Sequence, residues 1–265
     1  FEGRSADLLM AGRGFVSMRR TIIVVAAMAL VLGAAGAAEA GTVHLGIAVD
    51  ASGSITSSEF QTVRTGLGDA IAAAEWGGGT YQLSIIMFGD GVRFVYDGAI
   101  SNANKVAVGA TVSAMDRTGL TNYTHLGSGI QYLNSLVDFS DPINDTHIYN
   151  VITDGYPNPS SQATLAINAR NAAISAGLDE LSSEYIGSVG ETGYNFMLNN
   201  MVFPNAAPAP PYDPGFIVAV NYNTLRAALD SKLLAVTGVP LPSAAWLGLM
   251  MLGGLGAARL RRRRK

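Results

Sequence analysis

The stretch Val43-His44-Leu45-Gly46-Ile47-Ala48-Val49-Asp50-Ala51-Ser52-Gly53-Ser54 joins an apolar run to a short polar turn. A run of this length, rich in β-branched residues and bounded by turn formers, reads as a buried strand with Asp50 at its carboxyl end. Gly53 lets the backbone turn tightly, so that a carboxylate and two hydroxyls at alternate positions can converge on one cation. Alone, a D-x-S-x-S string is weak evidence, since ordinary Asp and Ser usage yields one by chance in roughly one chain in ten of this length. Two later segments change its weight: Gly119-Leu120-Thr121-Asn122 and Val151-Ile152-Thr153-Asp154-Gly155.

Outward from this stretch, apolar runs alternate with amphipathic ones, the pattern of an α/β fold. Thr56-Ser57-Ser58-Glu59 reads as a capping box, and Phe60, Val63, Leu67 and Ile71 follow at helical spacing until Gly77-Gly78-Gly79. Residues 81–88 and 92–96 read as strands joined by Gly89-Asp90-Gly91, a hairpin that adds one antiparallel edge to a mostly parallel sheet. Further strands are expected at 147–153, 181–186 and 216–220. Helices are expected at 103–114, after Thr121 with Leu126, Ile130, Leu133 and Leu136 on one face, at 164–176, at 194–201, and around Leu225 to Leu233. The Pro-rich segment 203–211 reads as a surface loop, because proline removes donors and fixes φ. The predicted architecture is a doubly wound, mostly parallel sheet with one antiparallel edge strand and helices on both faces. In such a sheet ligands bind beyond the carboxyl ends of the strands, where strand order reverses, and that is where Asp50 and Asp154 both fall.

In element order, residues 43–235 resemble the von Willebrand factor A (vWA) domain, and the three short segments match its metal-ion-dependent adhesion site (MIDAS). Asp50, Ser52 and Ser54 match the first loop, Thr121 the second and Asp154 the third. Leu120 stands where such domains often carry a second glycine, and Thr124 is a rival for the threonine role. The resemblance implies a Rossmann-like fold at 41–237, an ion held by these five side chains, and a macromolecular partner that presents an acidic group to it. Three hydroxyls and two carboxylates are hard oxygen donors; they disfavour Zn²⁺ and Cu²⁺ and suit six-coordinate Mg²⁺, with Mn²⁺ or Ca²⁺ as alternatives. The bland reading of Asp50, Ser52 and Ser54 is an Asx or Ser turn that caps a helix.

Between residues 41 and 239 there are 7 Lys and Arg against 17 Asp and Glu, a balance of −10, which argues against nucleic acid as a partner. Both ends are basic. Met18-Arg19-Arg20, an apolar stretch at 22–32 and Ala38-Glu39-Ala40 make the three regions of a signal peptide over 18–40. The apolar core is shorter than the ~20 residues of a membrane span. Residues 1–17 read as upstream translated sequence. With no cysteine, disulfide and thiol redox chemistry are excluded. Val239-Pro240-Leu241-Pro242-Ser243, an apolar stretch at 247–258 and the cluster Arg261-Arg262-Arg263-Arg264-Lys265 resemble the VPLPA variety of the PEP-CTERM sorting signal. That class is found on exported proteins of Gram-negative bacteria and is processed by exosortase-type membrane enzymes. The resemblance implies a sorting signal over 238–265, transient anchoring in the inner membrane, and release to the cell surface or extracellular matrix. Basic residues hold such a tail on the cytoplasmic side, and a plain tail anchor is the alternative.

His44, His125 and His147 show no ligand spacing and read as structural. Gly127-Ser128-Gly129 lacks the flanking glycine of a nucleophile elbow. The expected protein is therefore a non-enzymatic, metal-dependent binding protein of the cell surface. A matrix component whose metal only stabilises the fold is the second reading, and a secreted metal-dependent hydrolase the third.

Overall fold

Nine residues, Thr42–Asp50, form the strand β1 around which the chain is laid out. Leu45, Ile47 and Val49 enter one core layer and Ala48 the other, so the strand is apolar on both faces, as a central parallel strand must be. The computed structural model describes residues 41–77, 79–204 and 216–237. After β1 come α1 (Ser57–Ala73), β2 (Thr80–Phe88), β3 (Val92–Ile100), α2 (Lys105–Ser113), α3 (Leu126–Leu136), β4 (Thr146–Thr153) and α4 (Ser160–Ala176). The series closes with β5 (Glu180–Ile186), α5 (Thr192–Phe196) running into a π-helical turn (Met197–Met201), β6 (Ile217–Val220) and α6 (Tyr222–Thr237).

The sheet order is β3-β2-β1-β4-β5-β6. Only β2 and β3 pair antiparallel; the other neighbours are parallel. Strand order reverses between β1 and β4, so the carboxyl ends of these two strands flank the switch point. One face is covered by α1, α2 and α6 through Phe60, Leu67, Val112 and Leu229. On the other, α3 and α4 pack through Ile130, Leu133, Ala166 and Ala173. The expected fold class is the observed one.

Local chemistry accounts for the element ends. Thr56 Oγ1 accepts the Glu59 N–H at 3.3 Å while Glu59 Oε2 accepts the Thr56 N–H at 2.8 Å, the reciprocal capping box that starts α1. Three boundaries differ from expectation by about a helical turn or more. β3 runs on to Ile100 because its whole length pairs with β2. α4 starts at Ser160 rather than 164, directly after the extended Pro159. α3 starts at Leu126, not directly after Thr121, because Thr124 is held in a bridge to Asn158. The expected signal peptide, the sorting signal and residues 205–211 of the Pro-rich segment lie outside the described residues. Among the described residues no helix is long and apolar enough to cross a membrane.

Gly127 explains the glycine-rich start of α3. A Cβ there would stand 2.7 Å from the backbone of Gln162 and Ala166 in α4, so the two helices touch main chain to main chain. Backbone cannot swing aside as a side-chain end can. Gly127→Ala is expected to destabilise the fold by about 1–3 kcal/mol through overpacking. The check is a lower urea midpoint with an unchanged slope; an unchanged midpoint would mean that the helices separate without cost.

Candidate metal centre

β1 and β4 end side by side, with Val49 opposite Ile152. The next residues are therefore brought together: Thr153 Oγ1 donates to Asp50 Oδ2 at 2.7 Å. Asp50 Oδ1 accepts the Ser52 N–H at 2.8 Å, which folds the first loop back on its own carboxylate. Ser52 Oγ and Ser54 Oγ lie 3.0 Å apart, and Ser54 Oγ donates to Asp154 Oδ1 at 2.7 Å. Four of the five expected side chains thus form one hydrogen-bonded line across the switch point. Asp50 and Ser52 are buried, Asp154 is half-buried and Ser54 is exposed.

The second loop reaches this line through its backbone. A Cβ on Gly53 would fall 2.1 Å from the Thr121 carbonyl oxygen, so only glycine lets the first two loops close on each other. The Thr121 side chain is exposed. Thr124 is buried, and its Oγ1 lies 3.5 Å from the point where a Gly155 Cβ would stand, with Ser54 Oγ 3.9 Å from the same point. Leu120 is 5 % exposed and buried in the core, which anchors the loop where a second glycine was the family expectation.

Two positioning residues were not anticipated. Asp90, in the β2–β3 hairpin, accepts the N–H groups of Asn122 at 2.7 Å and Tyr123 at 2.5 Å, and so fixes the second loop. Arg117 donates to the carbonyls of Ser52 and Ile55 and lies over the Phe60 ring, so it clamps the first. Neither stands out in the sequence, because each acts across a distance that only the fold closes.

Electrostatics favours a cation here. Burial above all, and the neighbouring Asp154 charge, push the Asp50 carboxyl up to about 6 although hydrogen bonds from Ser52 and Thr153 pull it down. Asp154 is raised too, first by burial and then by the charges of Glu59 and Glu191, against the Ser54 hydrogen bond. The hydrogen-bond partners of Asp50 are neutral. A buried carboxylate facing a second one is costly unless positive charge offsets it. The donors are all hard oxygens, so the residues present fit a divalent cation such as Mg²⁺. Beside them opens a groove lined by Ser54, Glu59, Asp154, Glu191 and Tyr222.

At the opposite end of β1 and β4 lies a group the sequence reading dispersed. His44 pairs directly with His147, and Asp145 joins them. The two histidines are far apart in the chain, and parallel register alone makes them neighbours.

A family model for the von Willebrand factor type A domain matches residues 44–198. The chain belongs to that family. Among solved structures, it is similar to proximal thread matrix protein 1 of the mussel byssus (TM-score 0.54, 16 % identity, 74 % of this chain and 46 % of that one). The pilus adhesin SpaC of Lactobacillus rhamnosus GG gives TM-score 0.54 at 16 % identity over 74 % of this chain and 30 % of the adhesin. A von Willebrand factor type A protein of Catenulispora acidiphila gives 0.53 at 14 % identity over 76 % and 44 %. This vWA chain spans less than half the length of each, and the likeness is one of fold. No curated protein matches it.

The raised Asp50 carboxyl yields a signed prediction. Its pKa is higher in the folded than in the unfolded chain, so without a cation its charged form destabilises the fold; the penalty is full above about pH 6 and fades as pH falls toward the unfolded value. A rise from the ordinary carboxyl value to about 6 corresponds to roughly 3 kcal/mol. In chelator, Asp50→Asn is expected to melt at a higher temperature than the parent at about pH 8, with the difference gone near about pH 4. A pH-independent difference would assign the effect to hydrogen bonding instead.

Proposed function

We propose that this chain is an exported, surface-sorted vWA protein that binds a macromolecular partner through a divalent cation, Mg²⁺ first, at an adhesion site of Asp50, Ser52, Ser54, Thr121 and Asp154. The observation that carries the reading is the hydrogen-bonded line from Asp50 to Asp154, with a buried carboxylate that has only neutral partners. The byssal matrix protein, a relative in fold, has also been solved with a zinc-occupied MIDAS motif. The cation supplies an open position for a carboxylate oxygen of the partner. Glu59 and Glu191 border the groove beside it, so without the cation an acidic partner meets repulsion and binding is gated by the metal. Tyr123 and Tyr156 are 48 % and 42 % exposed on the second and third loops; the first stacks on His125, the second meets Phe196 edge to face, and both offer rigid apolar contacts around the ion. Binding rather than catalysis is our reading: His44 and His147 sit at the far end of the strands, and the remaining histidine, His125, has its ring stacked on Tyr123 as part of the contact surface around the ion.

Calorimetric titration of Mg²⁺ tests the site. Asp50→Ala and Asp154→Ala are each expected to lower Mg²⁺ affinity tenfold or more while circular dichroism stays native. Thr121→Ala is expected to change Mg²⁺ affinity little and to abolish Mg²⁺-dependent capture of partner from the producing organism's surface fraction. Loss of capture in Thr124→Val with Thr121→Ala intact would move the second-loop role to Thr124. Capture by folded Asp50→Ala and Asp154→Ala in chelator, at the parent's level, would overturn the mechanism in favour of a matrix component.

Export and sorting rest on the two ends. Mass spectrometry of the surface form is expected to find neither residues 18–40 nor the terminal basic cluster from Arg259 to Lys265, with an exosortase-type enzyme removing the latter. An intact basic tail on surface protein would reduce the C-terminal segment to a tail anchor.

A further inference from the structure

The geometry points to a second cation site in this protein, formed by His44, Asp145 and His147 at the amino ends of β1 and β4 and selective for a borderline-soft divalent metal such as Zn²⁺. It is independent of the adhesion site, which lies at the carboxyl ends of the same two strands.

Register places His44 beside His147, and the rings stack with centroids 4.9 Å apart and planes 16° from parallel. Asp145 crosses the same end of β1: its Oδ1 accepts the Thr42 N–H at 2.7 Å, which leaves Oδ2 3.3 Å from His44 Nε2. One ligand atom from each of the three residues lies within 4.8 Å of the others. Tetrahedral bonds of about 2.0–2.1 Å to Zn²⁺ set neighbouring ligand atoms about 3.3 Å apart. The His44–Asp145 pair already stands at that spacing, and His147, whose ligand atom lies within 4.8 Å of both, must close toward them when the ion binds.

A second observation concerns His147 itself. It is fully buried between the rings of His44 and Phe139, and its Nδ1 has no hydrogen-bond partner. Its Nε2 lies 2.8 Å from the Asp138 carbonyl. A neutral ring that donates from Nε2 therefore leaves a buried lone pair unmatched at Nδ1, an arrangement that costs free energy. A cation at one ring nitrogen removes the conflict, because the proton then sits on the other. Asp179 Oδ2, 3.9 Å from Nδ1, is too far for a hydrogen bond; with the ion at Nδ1, the Asp138 carbonyl accepts the Nε2 proton at 2.8 Å. Metal-binding histidines are commonly oriented by such an outer oxygen.

Two imidazoles with one carboxylate select Zn²⁺ and its first-row neighbours over Mg²⁺ and Ca²⁺. Asp145 is only half-buried, so the ion has a way in and water can complete its shell. Bound there, the ion ties together the two strands that carry the first and third adhesion loops.

The test titrates Zn²⁺ into the tag-free full chain in excess Mg²⁺, by calorimetry and thermal melting, with Co²⁺ absorption in the visible as a probe of tetrahedral nitrogen–oxygen ligation. Asp50→Ala removes the other centre; Asp145→Asn alters a half-buried residue, and His44→Gln replaces a buried polar side chain with a polar one outside the two apolar core layers. One tight Zn²⁺ per chain is expected to persist in Asp50→Ala. It should weaken at least tenfold in His44→Gln and in Asp145→Asn, with the Zn²⁺-induced rise in melting temperature lost and Mg²⁺ binding retained. The site is refuted if the parent binds no Zn²⁺ in excess Mg²⁺, if both variants bind it as the parent does, or if only Asp50→Ala removes it.

Discussion

Backbone hydrogen bonds between β1 and β4 join segments about a hundred residues apart in the chain, in a register that sets Val49 against Ile152 and His44 against His147. The Asp50–Thr153 contact and the His44–His147 pair both follow from that register. A slip of one residue would turn each inward side chain to the opposite face and part Asp50 from Thr153. The pairing is protected because both faces of β1 are buried, Leu45, Ile47 and Val49 on one and Ala48 on the other.

Two buried carboxylates show how differently the fold treats such groups. Glu184 on β5 receives a hydrogen bond from the Asn150 amide and lies close enough to Lys232 to feel its charge, although burial still pushes its carboxyl up to about 7. Asp50 has hydroxyl and amide partners and a second carboxylate nearby. Lys232, ion-paired with Glu180, lends Glu184 some positive charge through space, whereas no lysine or arginine among the described residues acts on Asp50. In the proposed function Asp50 would take its positive charge from an ion in solution, and Asp90 and Arg117 already hold the loops beside it.

The same contrast separates what could be read in the chain from what could not. Capping at Thr56 and Glu59, the antiparallel hairpin and the alternation of strands with helices depend on neighbours in sequence, and each was readable. Gly127-Ser128-Gly129 was readable only as a failed catalytic motif, because its purpose is contact with α4, some thirty-five residues on. Leu120 looked like a departure from the family pattern until its side chain was found in the core. The choice between Thr121 and Thr124 turns on the direction of a loop, which no local rule encodes.

By itself the sequence determined the family, the doubly wound fold class and the acidic, all-oxygen character of the first and third loops, because strand periodicity and turn chemistry are local. Tertiary structure decided that Asp50, Ser52, Ser54 and Asp154 form one hydrogen-bonded line, and that His44, Asp145 and His147 form a cluster at all. Histidines on two strands reveal nothing by their spacing in the chain. Only parallel pairing in a particular register makes them neighbours, and that pairing is chosen by the burial of the whole sheet between its helices.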